Sequence, residues 1–157
     1  MDAYHALAAS YDRLTNDVDY EATVEFYMQI LQREGVQPRT VVDLACGTGS
    51  VTKILAQKGY DVTGVDMSEE MLTQAHQKVQ DMNHPPRFIC RKLQELYLPK
   101  AVDMAVCALD SLDYITNPDD CAEAIRRTYK ALNPGGDRKS TRLNSSHEWI
   151  SRMPSSA

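Results

Sequence analysis

The sequence of 157 residues lacks the features that mark several classes of protein. Its four cysteines form no CxxC pair and its four histidines do not cluster, which argues against a disulfide framework and a zinc site. No apolar run approaches the roughly 18 residues of a membrane-spanning helix, and the N-terminus has no cleavable apolar segment. We therefore expect a cytoplasmic protein with reduced thiols, no bound metal and no membrane contact.

Basic residues are also too few for a surface that binds nucleic acid. The chain has 17 Lys and Arg against 22 Asp and Glu, a formal net charge of −5. An acidic chain without a basic stripe attracts the phosphate backbone poorly, so a small molecule is the expected partner. Nothing in the sequence indicates an oligomeric state.

Short apolar, β-branched runs alternate with helical patterns along the chain. Strands are expected at 40–45, 61–66, 87–92 and 102–108, and helices at 20–34, 50–58, 69–82 and 119–132. The last helix is expected to face the core through Ala122, Ile125, Tyr129 and Leu132. This alternation predicts one α/β domain with a Rossmann-like parallel sheet and helices on both faces.

A glycine-rich turn, Asp43-Leu-Ala-Cys-Gly47-Thr-Gly49, follows the first strand. Glycines suit a loop where backbone approaches a ligand, and ligands of open α/β sheets lie at the carboxyl ends of the strands. Asp66 ends the second strand, where a carboxylate can accept both hydroxyls of a ribose. The segment from Val41 to Asp66 therefore predicts a nucleoside site, although Asp66 could also be a simple turn residue.

Details of this segment indicate which kind of nucleoside ligand it would bind. Thr52 stands where a GxGxxG fingerprint needs glycine, and no lysine follows the glycines as in a Walker A loop. Asp43 would repel a pyrophosphate, whereas it suits a ligand carrying an ammonium and a sulfonium. The pattern resembles the first motif of class I S-adenosylmethionine-dependent methyltransferases, (V/L)(V/L)D-x-x-C/G-G-x-G.

Three further segments resemble small bacterial members of that family: YDRLTNDVDYEATVEFY, CALDSLDYI and ALNPGG, in the family's order. The resemblance covers residues 1–136 and implies S-adenosyl-L-methionine as cofactor. It also implies an incomplete class I methyltransferase fold, because about four of the family's seven strands precede residue 137. The fourth strand is then expected to be an open apolar edge.

The resemblance assigns cofactor-binding roles to ten residues. Asp43 would organise the loop around the methionine ammonium, Asp66 would hold the ribose, and Met67 would pack on the adenine. Leu93 would present backbone to the adenine edge, and Asp110 would begin the segment that faces the methyl group. The backbone of three residues would contact the amino-acid part of the cofactor: Ala45, Gly47 and Gly49. Two tyrosines would either close over the cofactor or simply pack their helices: Tyr11 and Tyr20.

The catalytic residue is not identified by the sequence. Methyl transfer is an in-line displacement that depends mainly on alignment, so a base is optional. Asp110, Asp113 and Tyr114 are the candidates for one, although loop acids before Asn-Pro also form turns. One departure from the family stands at Lys92, where an aspartate usually accepts the adenine amino group.

Residues 137–157 differ in composition from the rest, with six serines, four basic residues and the chain's only tryptophan. Two stretches, DRKSTRLNSSH and SRMPSSA, resemble the translation of a sequencing adapter in one reading frame. We therefore expect a non-native, disordered tail after a truncated N-terminal part of the methyltransferase domain.

The expected function is S-adenosylmethionine-dependent methyl transfer to a small-molecule acceptor by the intact parent protein. A noncatalytic S-adenosylmethionine-binding protein and a nicotinamide-dependent oxidoreductase remain alternatives.

Overall fold

A computed structural model describes residues 18–108 and 115–134, together with the backbone of 139–142 and 149–152. The helices are α1 (Tyr20–Glu34), α2 (Ser50–Gln57), α3 (Glu69–Val79) and α4 (Pro118–Ala131), and a short 3-10 turn spans Leu93–Glu95. The strands are β1 (Thr40–Leu44), β2 (Asp61–Asp66), β3 (Arg87–Cys90), β4 (Met104–Cys107), β5 (Lys139–Arg142) and β6 (Trp149–Arg152). No helix of these described parts is long and apolar enough to cross a membrane.

The strands form one sheet in the order β3-β2-β1-β4-β6-β5. The first four are parallel, with Val41 opposite Val62 on β2 and opposite Met104 on β4. Parallel neighbours bring the carboxyl ends of β1, β2, β3 and β4 to the same edge of the sheet. The predicted α/β fold with a parallel sheet is confirmed, and the four strands lie close to their predicted bounds.

The central strands are buried on both faces because helices and turns cover each side. On one face, Val41, Val62 and Met104 pack against α1 and α2. On the other face, alternate residues of the same strands, such as Val42 and Val65, pack against the turn at Leu93–Glu95 and against α4. Strands covered in this way tend to consist of nearly continuous apolar residues, as β4 with its sequence Met-Ala-Val-Cys does.

Local signals set the ends of the helices. Asp19 and Ser68 accept hydrogen bonds at the N-termini of α1 and α3 from the backbone N–H of Ala22 and Met71, respectively. Gly35 ends α1 in the left-handed conformation, with φ of 66°. These caps supply partners for backbone groups that the helix ends leave without intrahelical hydrogen bonds.

The predicted inward face of α4 is wrong for two of its four residues, Ala122 and Ile125. Ile125 is 42% exposed and Ala122 is exposed as well, whereas Ala124 is buried. Leu132 is buried as predicted, and Tyr129 packs partly against the core. Ala124 packs in one apolar cluster with Leu93 and Leu96, so this side of α4 faces the 3-10 turn, and Arg127 donates to the carbonyl oxygen of Leu96 at 3.2 Å.

The expected open edge of β4 is also wrong, since β6 pairs with it in the antiparallel direction and β5 pairs with β6. These two strands belong to the segment whose composition predicts a disordered tail. The backbone hydrogen bonds of β6 satisfy the edge groups of β4 that would otherwise face solvent.

Candidate functional site

The glycine loop after β1 is held in an unusual backbone conformation. Ala45, Gly47 and Gly49 all have positive φ, at 54°, 57° and 78°. Gly49 is also the N-cap of α2, and a Cβ there would lie 3.0 Å from the Cβ of Ala75 on α3. The left-handed Ala45 costs about 1–2 kcal/mol relative to ordinary backbone, and such residues cluster where chains contact ligands.

Asp43 lies beneath this loop and is almost fully buried. The hydroxyl of Thr52 on α2 donates to its Oδ2 at 2.6 Å. The pKa of Asp43 is raised from 3.8 to about 7, mainly by burial; the hydrogen bond from Thr52 opposes this rise, and the Asp66 carboxylate contributes to it. A carboxyl group with a pKa near 7 can lose its proton and become negatively charged when a cation binds above the loop.

Asp66 connects the end of β2 to the glycine loop. Its Oδ2 accepts from the backbone N–H of Gly47 and its Oδ1 from that of Ser68, both at 2.9 Å. The turn role that we considered is therefore present. Each carboxylate oxygen has two acceptor positions, so one on each oxygen remains for a ligand such as a ribose diol.

A cavity of about 300 Å³ opens next to Asp66 at the carboxyl ends of the strands. It brings together four of the predicted residues: Ala45, Asp66, Met67 and Leu93. Met67 is 67% exposed although it is apolar, so a flat apolar ligand could cover it. The volume is at the lower end of the range for small-molecule sites.

The cavity also contains residues that the sequence patterns did not identify. These are Arg91 and Gln94 after β3, together with Asn117 and Asp120 from the start of α4. Lys92, where the family usually has an aspartate, lines the cavity as well. The position of α4 after β4 could have indicated Asn117 and Asp120, because the residues that follow parallel strands gather at this edge. Gln94 had no recognisable signal, since it depends on how the chain turns after β3.

Cys46 shows why a residue in the loop need not react. Burial raises the pKa of its thiol well above the usual range, and the carboxylates of Asp43 and Asp66 raise it further. The thiol therefore stays protonated, and it packs close to Gly64 of β2. This agrees with a packing role rather than a nucleophilic one.

Tyr20 is not brought to the cavity that contains Met67 and Leu93. It is the first residue of α1, packs partly against the core, and lines a separate cleft of about 550 Å³ with Ser50, Lys53 and Lys78. Four other predicted residues lie outside the described parts of the chain: Tyr11, Asp110, Asp113 and Tyr114.

Comparison with known proteins gives consistent matches. The family model described as "Methyltransferase domain" matches residues 41–136. "Putative methyltransferase YqeM" of Bacillus subtilis is 34% identical over 134 residues, which are 85% of this chain and 52% of that protein. "Ubiquinone biosynthesis O-methyltransferase" of Pseudomonas fluorescens is 32% identical over 107 residues, 67% of this chain and 44% of that protein.

A solved structure of an S-adenosylmethionine-dependent methyltransferase from Clostridium acetobutylicum superposes with a TM-score of 0.74 at 30% identity. The superposition covers 85% of this chain and 55% of that one. The chain spans about half the length of the curated relatives that it matches.

Proposed function

This chain belongs to the methyltransferase domain family, whose members use S-adenosylmethionine, and on that basis we propose that its parent protein transfers the methyl group of this cofactor to a small-molecule acceptor. The described residues supply the part of the protein that binds the adenosine half of the cofactor. The observation that carries the proposal is the cavity that joins Asp66 and Met67 at the end of β2 to Leu93 after β3.

The chemistry of these residues fits an adenosine. The remaining acceptor positions of Asp66 suit the two ribose hydroxyls, and the hydrogen bonds from Gly47 and Ser68 hold the carboxylate in one orientation. Met67 offers a flexible thioether surface to a purine ring. Ala45 and Gly47 then lie on the path of the rest of the cofactor, since the glycine loop adjoins Asp66.

Asp43 fits the amino-acid end of the cofactor. Burial makes its negative charge costly, so a bound ammonium above the loop would stabilise the charged form. With both ends held, the methyl group would point to the carboxyl edge of the sheet. Orientation of this kind can supply roughly 7–11 kcal/mol of the barrier, and Asp110, Asp113 or Tyr114 could then take a proton from the acceptor.

The acceptor is proposed to be small. One relative is named for methyl transfer in ubiquinone biosynthesis, which concerns a small molecule rather than a polymer. The acidic net charge of −5 also disfavours nucleic acid as the acceptor.

Binding to the 157-residue chain can be tested by calorimetry with S-adenosylhomocysteine and, separately, NADH. We expect S-adenosylhomocysteine to bind more tightly, and Asp66→Asn to weaken it about tenfold or more, because an amide offers fewer acceptor positions to the ribose. The matched control is Asp61→Asn at the opposite end of β2, where Asp61 pairs with Arg87 on the surface. Tighter binding of NADH would overturn the proposal.

Methyl transfer itself is best tested on the parent protein. Incubation with S-adenosylmethionine labelled in the methyl group and with small hydroxylated or amino acceptors should give a labelled product. Cofactor binding without transfer to any acceptor would support a noncatalytic cofactor-binding protein instead.

A further inference from the structure

The two halves of the glycine loop are held by different parts of the fold. In the first half, the backbone N–H of Cys46 donates to the carbonyl oxygen of Val65 at 3.0 Å, and that of Gly47 donates to Asp66. Both bonds attach residues 45–47 to β2. The N–H of Gly49 closes the turn by donating to the carbonyl oxygen of Cys46 at 3.0 Å.

The second half, residues 48–50, is attached to α3 through the side chain of Lys78. The ammonium of Lys78 donates to Thr48 Oγ1 at 2.9 Å and to Ser50 Oγ at 2.8 Å. Thr48 is buried, so its hydroxyl meets Lys78 inside the packed loop rather than in solvent. Hydrogen bonds from a charged donor are about twice as strong as those between neutral groups.

The placement of this lysine is informative in electrostatic terms. Lys78 lies in the last turn of α3, where a cation is favourable, but its ammonium reaches the residues that begin α2. A positive charge near the start of a helix is unfavourable unless an acceptor or an anion offsets it. The two hydroxyls supply acceptors, and the carboxylate end of an amino-acid ligand above the loop would be attracted to the same place.

We propose that Lys78 is a positioning residue for the amino-acid part of the cofactor, which it serves by holding residues 48–50 in their binding conformation. The inference rests on the proposed function, because it needs a ligand that extends from the cavity at Asp66 across the glycine loop. The adenosine part contacts the cavity, whose lining does not include Lys78. Loss of the lysine should therefore affect the two parts of the ligand unequally.

Calorimetry on the full 157-residue chain can separate the two parts with a pair of probes. S-Adenosylhomocysteine carries adenosine, sulfur and the amino-acid part, whereas 5′-methylthioadenosine lacks the amino-acid part. We expect Lys78→Met to raise the Kd for S-adenosylhomocysteine about tenfold, equivalent to about 1.4 kcal/mol, and to leave the Kd for 5′-methylthioadenosine unchanged. Lys78→Arg, which keeps the charge and the donors, should bind S-adenosylhomocysteine more nearly like the wild type.

Lys58→Met is the matched control, since Lys58 is an exposed lysine at the opposite end of α2. It should bind both probes like the wild type. If Lys78→Met lowers the melting temperature too far for calorimetry, Ser50→Ala removes one of the two acceptors and should show the same selective loss on a smaller scale.

Each remaining outcome has a distinct meaning. Equal weakening of both probes by Lys78→Met, or no weakening of either, would overturn the positioning role while leaving the proposed function in place. A wild-type chain that binds neither probe would overturn the proposed function, and with it the role of Lys78.

Discussion

Replacement of Asp43 by asparagine should stabilise the folded chain at pH 8, although the residue belongs to the proposed site. Asp43 is 1% exposed, and its carboxylate has the hydroxyl of Thr52 as a hydrogen-bond donor. Burial is the main cause of its raised pKa, which means that the folded chain tolerates the neutral acid better than the charged form. Asparagine resembles the neutral acid at every pH.

The magnitude follows from the difference between the two pKa values. A rise from 3.8 to about 7 is about 3 units, and at about 1.4 kcal/mol per unit the charged form costs about 4 kcal/mol at pH 8. Because the folded chain holds the proton more tightly, stability falls as the pH rises from about 4 to about 7. Asparagine loses one acceptor oxygen, worth about 1 kcal/mol, so its net gain at pH 8 is about 3 kcal/mol.

Urea denaturation at a series of pH values measures this difference directly. Asp43→Asn should be more stable than the wild type at pH 8, and this advantage should be lost near pH 4, where Asp43 is protonated in the folded chain and partly protonated in the unfolded one. Thr52→Val is the matched control, whose expected effect on the free energy of unfolding at pH 8 is opposite to that of Asp43→Asn. It removes a hydrogen-bond donor to the carboxylate, so it should destabilise the chain most at pH 8. A difference between Asp43→Asn and the wild type that stays constant from pH 4 to pH 8 would refute the reasoning.

Two further changes probe the support of the site. Gly64→Ala should lower the free energy of unfolding by about 1–3 kcal/mol in thermal melts, because its Cβ would lie 2.7 Å from Cδ1 of Phe88; an unchanged melt would contradict this packing. Asp103→Ala should cost about 1–3 kcal/mol at pH 7, since Asp103 accepts from the backbone N–H groups of Arg39 and Thr40. Those bonds hold the pKa of Asp103 below its usual value, so this cost should shrink as the pH falls through that lowered pKa.

The sheet could be predicted from the sequence because its signals are local. β1 and β2 are short β-branched runs bounded by turn residues, and their observed ends lie within one residue of the predicted ones. The position of α4 in the sequence was predictable for the same reason, but the face that it turns towards the core was not. Ile125 and Ala124 are neighbours in sequence, and Ala124 is the buried one because α4 packs it against Leu93 and Leu96, a long-range contact that no periodicity contains.

Some residues of the candidate site could likewise be predicted from the sequence, and others could not. Asp66 and the glycines were predictable because a carboxylate at a strand end and a glycine turn have a fixed spacing. Lys78 was not, because its contact with Thr48 joins residues 30 positions apart and depends on how α3 packs against the loop. The pairing of β4 with β6 was missed because the composition of residues 137–157 shows no strand pattern.

The central claim is that the adenosine of the cofactor occupies the cavity beside Asp66 and Met67. The chain has seven methionines, so labelling their methyl groups with carbon-13 gives a small set of NMR signals that can be assigned by substitution. With S-adenosylhomocysteine bound, we predict nuclear Overhauser effects between the adenine protons and the methyl group of Met67. Saturable binding with adenine contacts to other methionines, and none to Met67, would contradict the account.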